Sequence, residues 1–555
     1  MYDPDPAEPG GSAATRAEGG GPALPLSPRA VPLTFPVAGS RRERPHRRWL
    51  LLASGAYQWL EAWLDRLVSA PLNPLYHTGT IAVFSLAVAL VTGIYLFLFY
   101  RVGTEEAHRS IEEIMAQPWG IGALMRSLHR YASDAAVLAA VLHGLKMFFN
   151  DRFWGPRWIG WVSGLVLLGL VWVTSATGYW LVWDMQAQVL SLSVAKLLDV
   201  LPVFGEPLVR TFIDAGRIQN FLFFLILFIH ITIPLLLGAA YWLHVMRLSR
   251  ARFMPPRVVL AVTGAALLIA SVLRPALSGP PADLGRLPGA IPIDWFYFFY
   301  FPLTRLDPRW GWAMLIVGAL AALSVPWALR GRTPPRARVE NIACTGCTRC
   351  WKDCPYEAIV MVPRHDGTRY KQVAVVNPAK CVGCGICVGA CDSAGILLGD
   401  EPVALLGQAV TARLRSVAAD AGSAPVLVYT CRLMQRLAGR LGPDGTLEGR
   451  PGVTVMGLPC VGTLHPEMIV KTLEAGARGV FIAGCVPEDC PFREGSRWLA
   501  DRLTGQRLPS LRNAPADRLR VRWYSPVEVR RFLDDVAAFQ RDLQRSEPAR
   551  EPGYR

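Results

Sequence analysis

The sequence predicts three architectures in succession: an all-α transmembrane bundle, a small α+β unit, and an α/β domain. Three observations carry this. Six apolar segments of membrane length lie between residues 77 and 330. Eight cysteines between 344 and 391 repeat one spacing, and three β-like runs beyond residue 425 each end at a cysteine.

The chain of 555 residues has room for several domains. Its mean hydropathy of +0.27 and its 18 tryptophans place part of it in a membrane. The net charge is +15, but no aromatic and basic binding module accompanies it, so nucleic acid is not an expected partner. The excess is mostly arginine near the ends of apolar spans, which reads as topology. Twelve cysteines in spaced sets point to metal ligation in a reducing compartment rather than to disulfides.

Residues 1–48, rich in Gly, Pro and Ala, predict a disordered tail ending in the basic cluster Arg41, Arg42, Arg44, Arg47 and Arg48. The stretch QWLEAWLDRLVSA has amphipathic helical spacing and is expected to lie along the membrane surface. Spans follow near 77–100, 123–149, 158–183, 219–246, 257–275 and 311–330. Six crossings return the chain to its starting side. Arg152, Arg157, Arg247, Arg250, Arg252 and Arg257 flank one side; Glu105, Glu106, Glu112, Glu113, Asp199, Glu206 and Asp283 lie on the other. The positive-inside rule then predicts a multi-pass inner-membrane protein with both termini cytoplasmic.

Two spans each carry a histidine pair fourteen residues apart, His129 with His143 and His230 with His244. Fourteen residues is just under four helical turns, so each pair shares a face, its members about 21 Å apart. Two such helices side by side offer two bis-imidazole sites, the chemistry of two b haems. Single histidines in apolar helices are usually core residues, but ionisable groups within a membrane default to function. Gly79 with Gly93, and Gly164 with Gly178, copy the spacing, as a macrocycle pressed against backbone would require; ordinary small-residue helix packing is the plainer explanation.

Residues 49–250 resemble cytochrome b of the bc-type quinol-oxidising complexes, most of all the chloroplast-type subunit. LVTGIYLFLFY, RSLHRYASDAAVLAAVLHGLKMF, SATGYWLVWDMQ and LPVFGEPLVR carry the resemblance. It implies that His129 pairs with His230, and His143 with His244. The chloroplast-type protein attaches an extra haem through a Cys on its first span; Ser85 stands at the matching place, so that link is not expected. In 251–332, two further spans flank PIDWFYFFYFPLTR, which looks like a variant of the family's Pro-Glu-Trp-Tyr quinol motif. The resemblance makes Asp294 a quinol ligand, followed by Trp295 and by Phe296, which lacks a hydroxyl. An aromatic interface belt is the alternative.

A basic linker opens the unit at 333–400. Cys344, Cys347, Cys350 and Cys354 follow C-x2-C-x2-C-x3-C-P; Cys381, Cys384, Cys387 and Cys391 repeat it, with Asp392 replacing the proline. In such runs the fourth cysteine serves the other cluster. One 4Fe-4S cluster is therefore expected on Cys344, Cys347, Cys350 and Cys391, the other on Cys381, Cys384, Cys387 and Cys354. The segment looks like a two-cluster bacterial ferredoxin; zinc is the alternative.

In 401–545, the runs APVLVYTC, GVTVMGLPC and GVFIAGC alternate with helical stretches, placing cysteines at strand C-termini. Cys431, Cys460, Cys485 and Cys490 remain, the number a 2Fe-2S cluster needs; zinc and buried free thiols stay open. The stretch from Leu458 to Gly495 resembles the delta subunit of methyl-viologen-reducing hydrogenase, which passes electrons to a heterodisulfide-reductase-type flavoprotein. The combination predicts an electron conduit ordered quinone, outer haem, inner haem, 4Fe-4S pair, 2Fe-2S cluster, flavoprotein, with a hydrogenase or formate dehydrogenase as further partner and a homodimer compatible with it. One rival is a bc-type quinol-oxidising core with a Rieske partner. The other is a membrane docking adapter without a quinone site.

Overall fold

The computed structural model describes residues 48–202, 207–208, 220–246, 248, 251–286, 294–331, 334–399, 407–415, 425–442 and 444–545. The expected tail before Arg48, Glu206, Arg247, Arg250, most of 201–210, the first two residues of the 292–305 motif and linker positions 332–333 lie outside that set.

Five described helices are long and apolar enough to cross a membrane. They belong to α2 (Thr78–Phe99), α4 (Ile121–Phe149), α5 (Trp158–Val182), α7 (Asn220–Val245) and α11 (Pro308–Ala328). The expected span at 257–275 is α8 (Arg257–Leu273), 17 residues or about 25 Å, shorter than a bilayer core of about 30 Å. Pro255 and Pro256 stop it at one end and Pro275 at the other. It still runs the length of the bundle. Arg252, just before it, faces Glu494 of the C-terminal domain, while the Arg274 carbonyl after it accepts from Tyr131 at the opposite end. Five of the six expected spans are helices of membrane length, and the sixth is this shorter apolar helix.

α2 lies against α4, and α5 against α7. α3 (Glu106–Met115) and α6 (Met185–Leu198) close the end away from the iron–sulfur modules, with α9 (Trp295–Phe298) and α10 (Phe301–Leu306). α1 (Arg48–Val68) packs Trp49 and Tyr57 on Phe148 and Phe149 and leaves Trp59 and Trp63 exposed, as an in-plane interfacial helix would.

The eight-cysteine unit folds as two antiparallel strand pairs, β1 (Ala337–Val339) with β4 (Ile396–Leu398) and β2 (Ile359–Pro363) with β3 (Gln372–Val376). Gly346 and Gly383, inside the first C-x2-C of each run, have φ of 68° and 70°. A Cβ there would also meet the Gln372 or Pro335 carbonyl at 2.5 Å, so only glycine fits.

The last domain is a parallel sheet in the order β6-β5-β7-β8, from β5 (Val426–Thr430), β6 (Val453–Gly457), β7 (Gly479–Cys485) and β8 (Leu519–Tyr524). β5, β6 and β7 are buried throughout because both sheet faces are covered. β8, LRVRWY, and α12 (Val529–Arg545) were not expected from the sequence. The strand lies at a sheet edge with arginines at its solvent side, and the helix seals one face with Phe532, Val536, Phe539 and Leu543.

Candidate functional site

A continuous cavity of about 1550 Å³ runs through the bundle between α2, α4, α5 and α7 and is lined by all four paired histidines. That exceeds the 300–1,000 Å³ usual for a single ligand site. His129 and His230 face each other with ring centroids 6.2 Å apart. A metal held at about 2 Å from each imidazole nitrogen separates the centroids by roughly 6 Å, so the pair fits one axially ligated iron. His143 and His244 face the same cavity toward the iron–sulfur end.

The glycines make room for these rings. A Cβ would lie 2.9 Å from His129 at Gly93, 3.0 Å from His143 at Gly79, 3.1 Å from His230 at Gly178 and 3.3 Å from His244 at Gly164. The residue before each glycine is Thr or Ser. His129 Nδ1 lies 2.8 Å from the Ala89 carbonyl and 3.3 Å from Thr92 Oγ1. His230 Nδ1 lies 3.0 Å from the Thr174 carbonyl and 3.1 Å from Thr177 Oγ1, and His244 Nδ1 lies 2.8 Å from Ser163 Oγ. Carbonyl acceptors at Nδ1 hold the tautomer that leaves Nε2 free to ligate. Thr78, before Gly79, is buried, and its hydroxyl has no bond among the described residues. This fourfold Ser/Thr–Gly pattern was legible in the sequence and was passed over. Ser85 is fully buried on α2.

At the end away from the iron–sulfur modules, Asp294 lines the cavity and accepts from Arg130 (2.9 Å), the Tyr179 hydroxyl and the Phe296 backbone N–H (3.1 Å). Arg130 also pairs with Asp134 at 3.3 Å and lies over the Tyr179 ring. Phe296 is exposed, but its neighbour Tyr297 is fully buried and donates to Asp134 at 2.7 Å. The hydroxyl absent from Phe296 is thus present one residue later. Sequence reasoning missed Arg130, Asp134, Tyr179 and Tyr297, whose meeting depends on three separate segments.

At the other end, the bundle meets the last domain through buried charge. Asp489 accepts from Lys146 (3.1 Å), Arg152 (3.2 Å) and Arg432 (3.0 Å), and Lys146 also reaches Glu61 at 3.0 Å. Burial tends to raise the Asp489 carboxyl, but the three cations hold it well below the usual range. Burial and the Asp489 charge push Glu61 up to about 7, against the pull of Lys146. Arg157 donates to Tyr356 and to the Pro491 carbonyl, and Arg252 faces Glu494. The loop arginines that read as topology signals are therefore also docking groups.

The cysteines form three sets. Cys344, Cys347, Cys350 and Cys391 line one small pocket, so the fourth cysteine of the second run does join the first three. Cys354 lies among Cys381, Cys384 and Cys387. Cys431, Cys460, Cys485 and Cys490 gather at the C-terminal ends of β5, β6 and β7, where the strand order switches direction about β5. They fall into two pairs: Cys431 Sγ and Cys485 Sγ lie 3.2 Å apart, and Cys460 is hydrogen-bonded to Cys490. That bond, from Cys460, draws the Cys490 thiol down to about 6.

Both iron–sulfur modules border the bundle. The last four cysteines are expected farthest from the histidines; in the structure Cys490 lines the bundle cavity, and so do Lys380 and Val382 on either side of Cys381. Thr463 donates to the Cys384 carbonyl at 3.0 Å, and Cys384 shares an apolar core with Cys431, Cys460, Cys485 and Cys490. The last domain packs against both the bundle and the eight-cysteine unit, held by Asp489 on one side and by Arg502–Asp353 (2.6 Å) on the other, and the eight-cysteine unit itself reaches the bundle through Tyr356. Asp392, the departure from the Cys-Pro pattern, is part of that junction, bonded to Arg349 and to His465.

Comparison with known proteins bears on each part. The family described as Cytochrome b/b6/petB matches residues 63–252. These residues are a cytochrome b domain. A 4Fe-4S dicluster domain matches 343–394, and the delta subunit of methyl-viologen-reducing hydrogenase matches 426–545. One solved structure, described as a hyperthermophilic respiratory Complex III, is similar with TM-score 0.37 and 18% identity over 51% of this chain and 82% of that one. The chain is a multi-pass membrane protein in which a cytochrome b domain is followed by iron–sulfur modules, the arrangement of membrane electron transfer.

Proposed function

We propose that the chain carries electrons between the quinone pool and a soluble flavoprotein of heterodisulfide-reductase type. The single observation behind this is the cavity that starts at Asp294, passes all four histidines and ends at Cys490. His129 with His230, and His143 with His244, would hold two b haems, with Gly79, Gly93, Gly164 and Gly178 giving the imidazoles their space. The two mixed cysteine sets would hold 4Fe-4S clusters. The two-plus-two pairing of Cys431 with Cys485 and Cys460 with Cys490 favours a 2Fe-2S cluster, which takes two thiolates per iron. These groups supply one-electron carriage when bound.

The protein's own residues do the rest. Asp294, with Tyr179 and Tyr297 beside it, would accept a hydrogen bond from a quinol at the outer end, while Arg130 keeps its carboxylate charged. Ser163, Thr92 and Thr177 orient imidazoles. The arginine-rich iron–sulfur end would face the cytoplasm. The test is anaerobic addition of a quinol analogue to the purified full chain, followed by optical and EPR spectra. Haem reduction that Asp294→Asn slows at least tenfold supports the reading. Haems that stay oxidised with quinol, yet fill on reduction of the clusters, would refute the quinone end.

A further inference from the structure

Arg130 is shared by two carboxylates. It pairs with Asp294 at 2.9 Å and with Asp134, one helical turn further along α4, at 3.3 Å. Each carboxylate also accepts from a tyrosine, Asp294 from Tyr179 and Asp134 from Tyr297 at 2.7 Å. The two tyrosine rings lie 5.5 Å apart, and the guanidinium sits against both, 4.3 Å from the Tyr179 ring and 5.6 Å from that of Tyr297. All five side chains line the cavity, at its end away from the iron–sulfur modules. Asp134 stands within the α4 span, where an ionisable side chain is costly and points to function. One guanidinium neutralises one carboxylate. A structural pair between Arg130 and Asp294 has no use for a second acid, and the surplus negative charge is a place for a proton.

We propose that Asp134 is the second proton acceptor for a quinol oxidised at this end of the cavity. The inference rests on the proposed quinone end and adds a base that its chemistry requires. A quinol gives up two electrons and two protons on becoming a quinone. Both O–H bonds break: one proton goes to Asp294 and the other to Asp134, while the two electrons pass in turn to the haem held by His129 and His230 and on along the conduit. Asp294 by itself takes only one proton. Each Asp134 oxygen carries one bond, Oδ1 from Tyr297 and Oδ2 from Arg130, and a carboxylate oxygen keeps a second lone pair for a substrate hydroxyl. The titratable and charged groups around Asp134 are Arg130 on its own helix, Asp294 and Tyr297 at the start of α9, and Tyr179 on α5. Once Asp294 is neutral, Arg130 pairs with Asp134 alone and holds it ionised for the second proton.

The probe is duroquinol, mixed anaerobically with the purified full chain in nanodiscs, with haem reduction followed by stopped-flow absorbance from about pH 6 to about pH 8.5. Asp134→Asn keeps the shape of the side chain and a group for Tyr297 to bond, but it cannot take the proton. At about pH 6 it is expected to slow haem reduction at least tenfold, with the duroquinol concentration for half-maximal rate unchanged. The deficit should shrink toward about pH 8.5, where hydroxide takes the second proton instead. Asp134→Ser should behave alike, and Asp134→Glu, which restores a carboxylate, should recover most of the rate. Dithionite, whose electrons come without quinol protons, should reduce the haems of every variant at the wild-type rate. An Asp134→Asn chain with the wild-type rate and pH profile overturns the proposal. So does a loss that is equal at every pH and comes with weaker duroquinol saturation, which would make Asp134 a counter-ion for Arg130 only. Wild-type haems that stay oxidised with duroquinol, yet fill with dithionite, would instead defeat the quinone end itself.

Discussion

Asp489→Asn removes one anion from a buried group of three cations and two carboxylates while keeping the shape of the side chain. Glu61, paired with Lys146, is then the one carboxylate left in this group. Breaking a buried pair costs about 3–5 kcal/mol because the partner charges stay desolvated, and the remaining Glu61 puts this case near the lower end. About 3 kcal/mol is roughly a hundredfold in an opening equilibrium. The assay is amide hydrogen exchange by mass spectrometry on the purified full chain, following peptides from 426–432 and 479–494. Both should exchange about a hundredfold faster in the variant. An exposed pair such as Arg520–Asp542 serves as the control; Asp542→Asn should change exchange by less than threefold. Adding Lys146→Met to Asp489→Asn should recover part of the loss, since the two substitutions act on one network. An Asp489→Asn variant with exchange within threefold of the wild type would refute the claim that buried charge fastens this domain to the bundle.

Other outcomes follow from the same geometry. His230→Ala should abolish one b-haem signal and leave the other, and His244→Ala the reverse, as read by optical and EPR spectra. Ser163→Ala should raise the potential of a haem held at His244 by roughly 20–60 mV, the worth of a lost neutral hydrogen bond, measured by redox titration; Thr92→Val should do less, because the Ala89 carbonyl still holds His129. Glu61, lifted from about 4.5 to about 7, binds its proton more tightly in the docked state. Its contribution is therefore full below about 4.5 and lost as pH climbs through about 7, so the junction should open more readily at pH 8 than at pH 6, with that slope flattened in Glu61→Gln. Cys391→Ser and Cys347→Ser should lose the same 4Fe-4S EPR signal, and Cys354→Ser the other, because each fourth cysteine crosses over.

Much of the machinery could be read before any coordinates. The histidine pairs, the cysteine spacing and the strand-terminal cysteines are local patterns, each set by the repeat of one helix or one loop. Other features resisted reading for identifiable reasons. α8 has the composition of a span, yet flanking prolines cut it to 17 residues. β8 hides behind its arginines. Phe296 promised no hydroxyl at the outer site, and Tyr297 supplies one because the turn at Asp294 directs it inward.

By itself the sequence determined which helices cross the membrane, which faces carry the imidazoles, and which cysteines stand together in each run, since apolar periodicity and short spacings act within a single element. Only the tertiary structure decided which residues join the modules to the bundle. Glu61, Lys146, Arg432 and Asp489 come from segments more than 400 residues apart, and their charges are stable in the interior only when brought together. That requirement seats the last domain against the bundle and leaves Cys347 of the dicluster unit facing solvent.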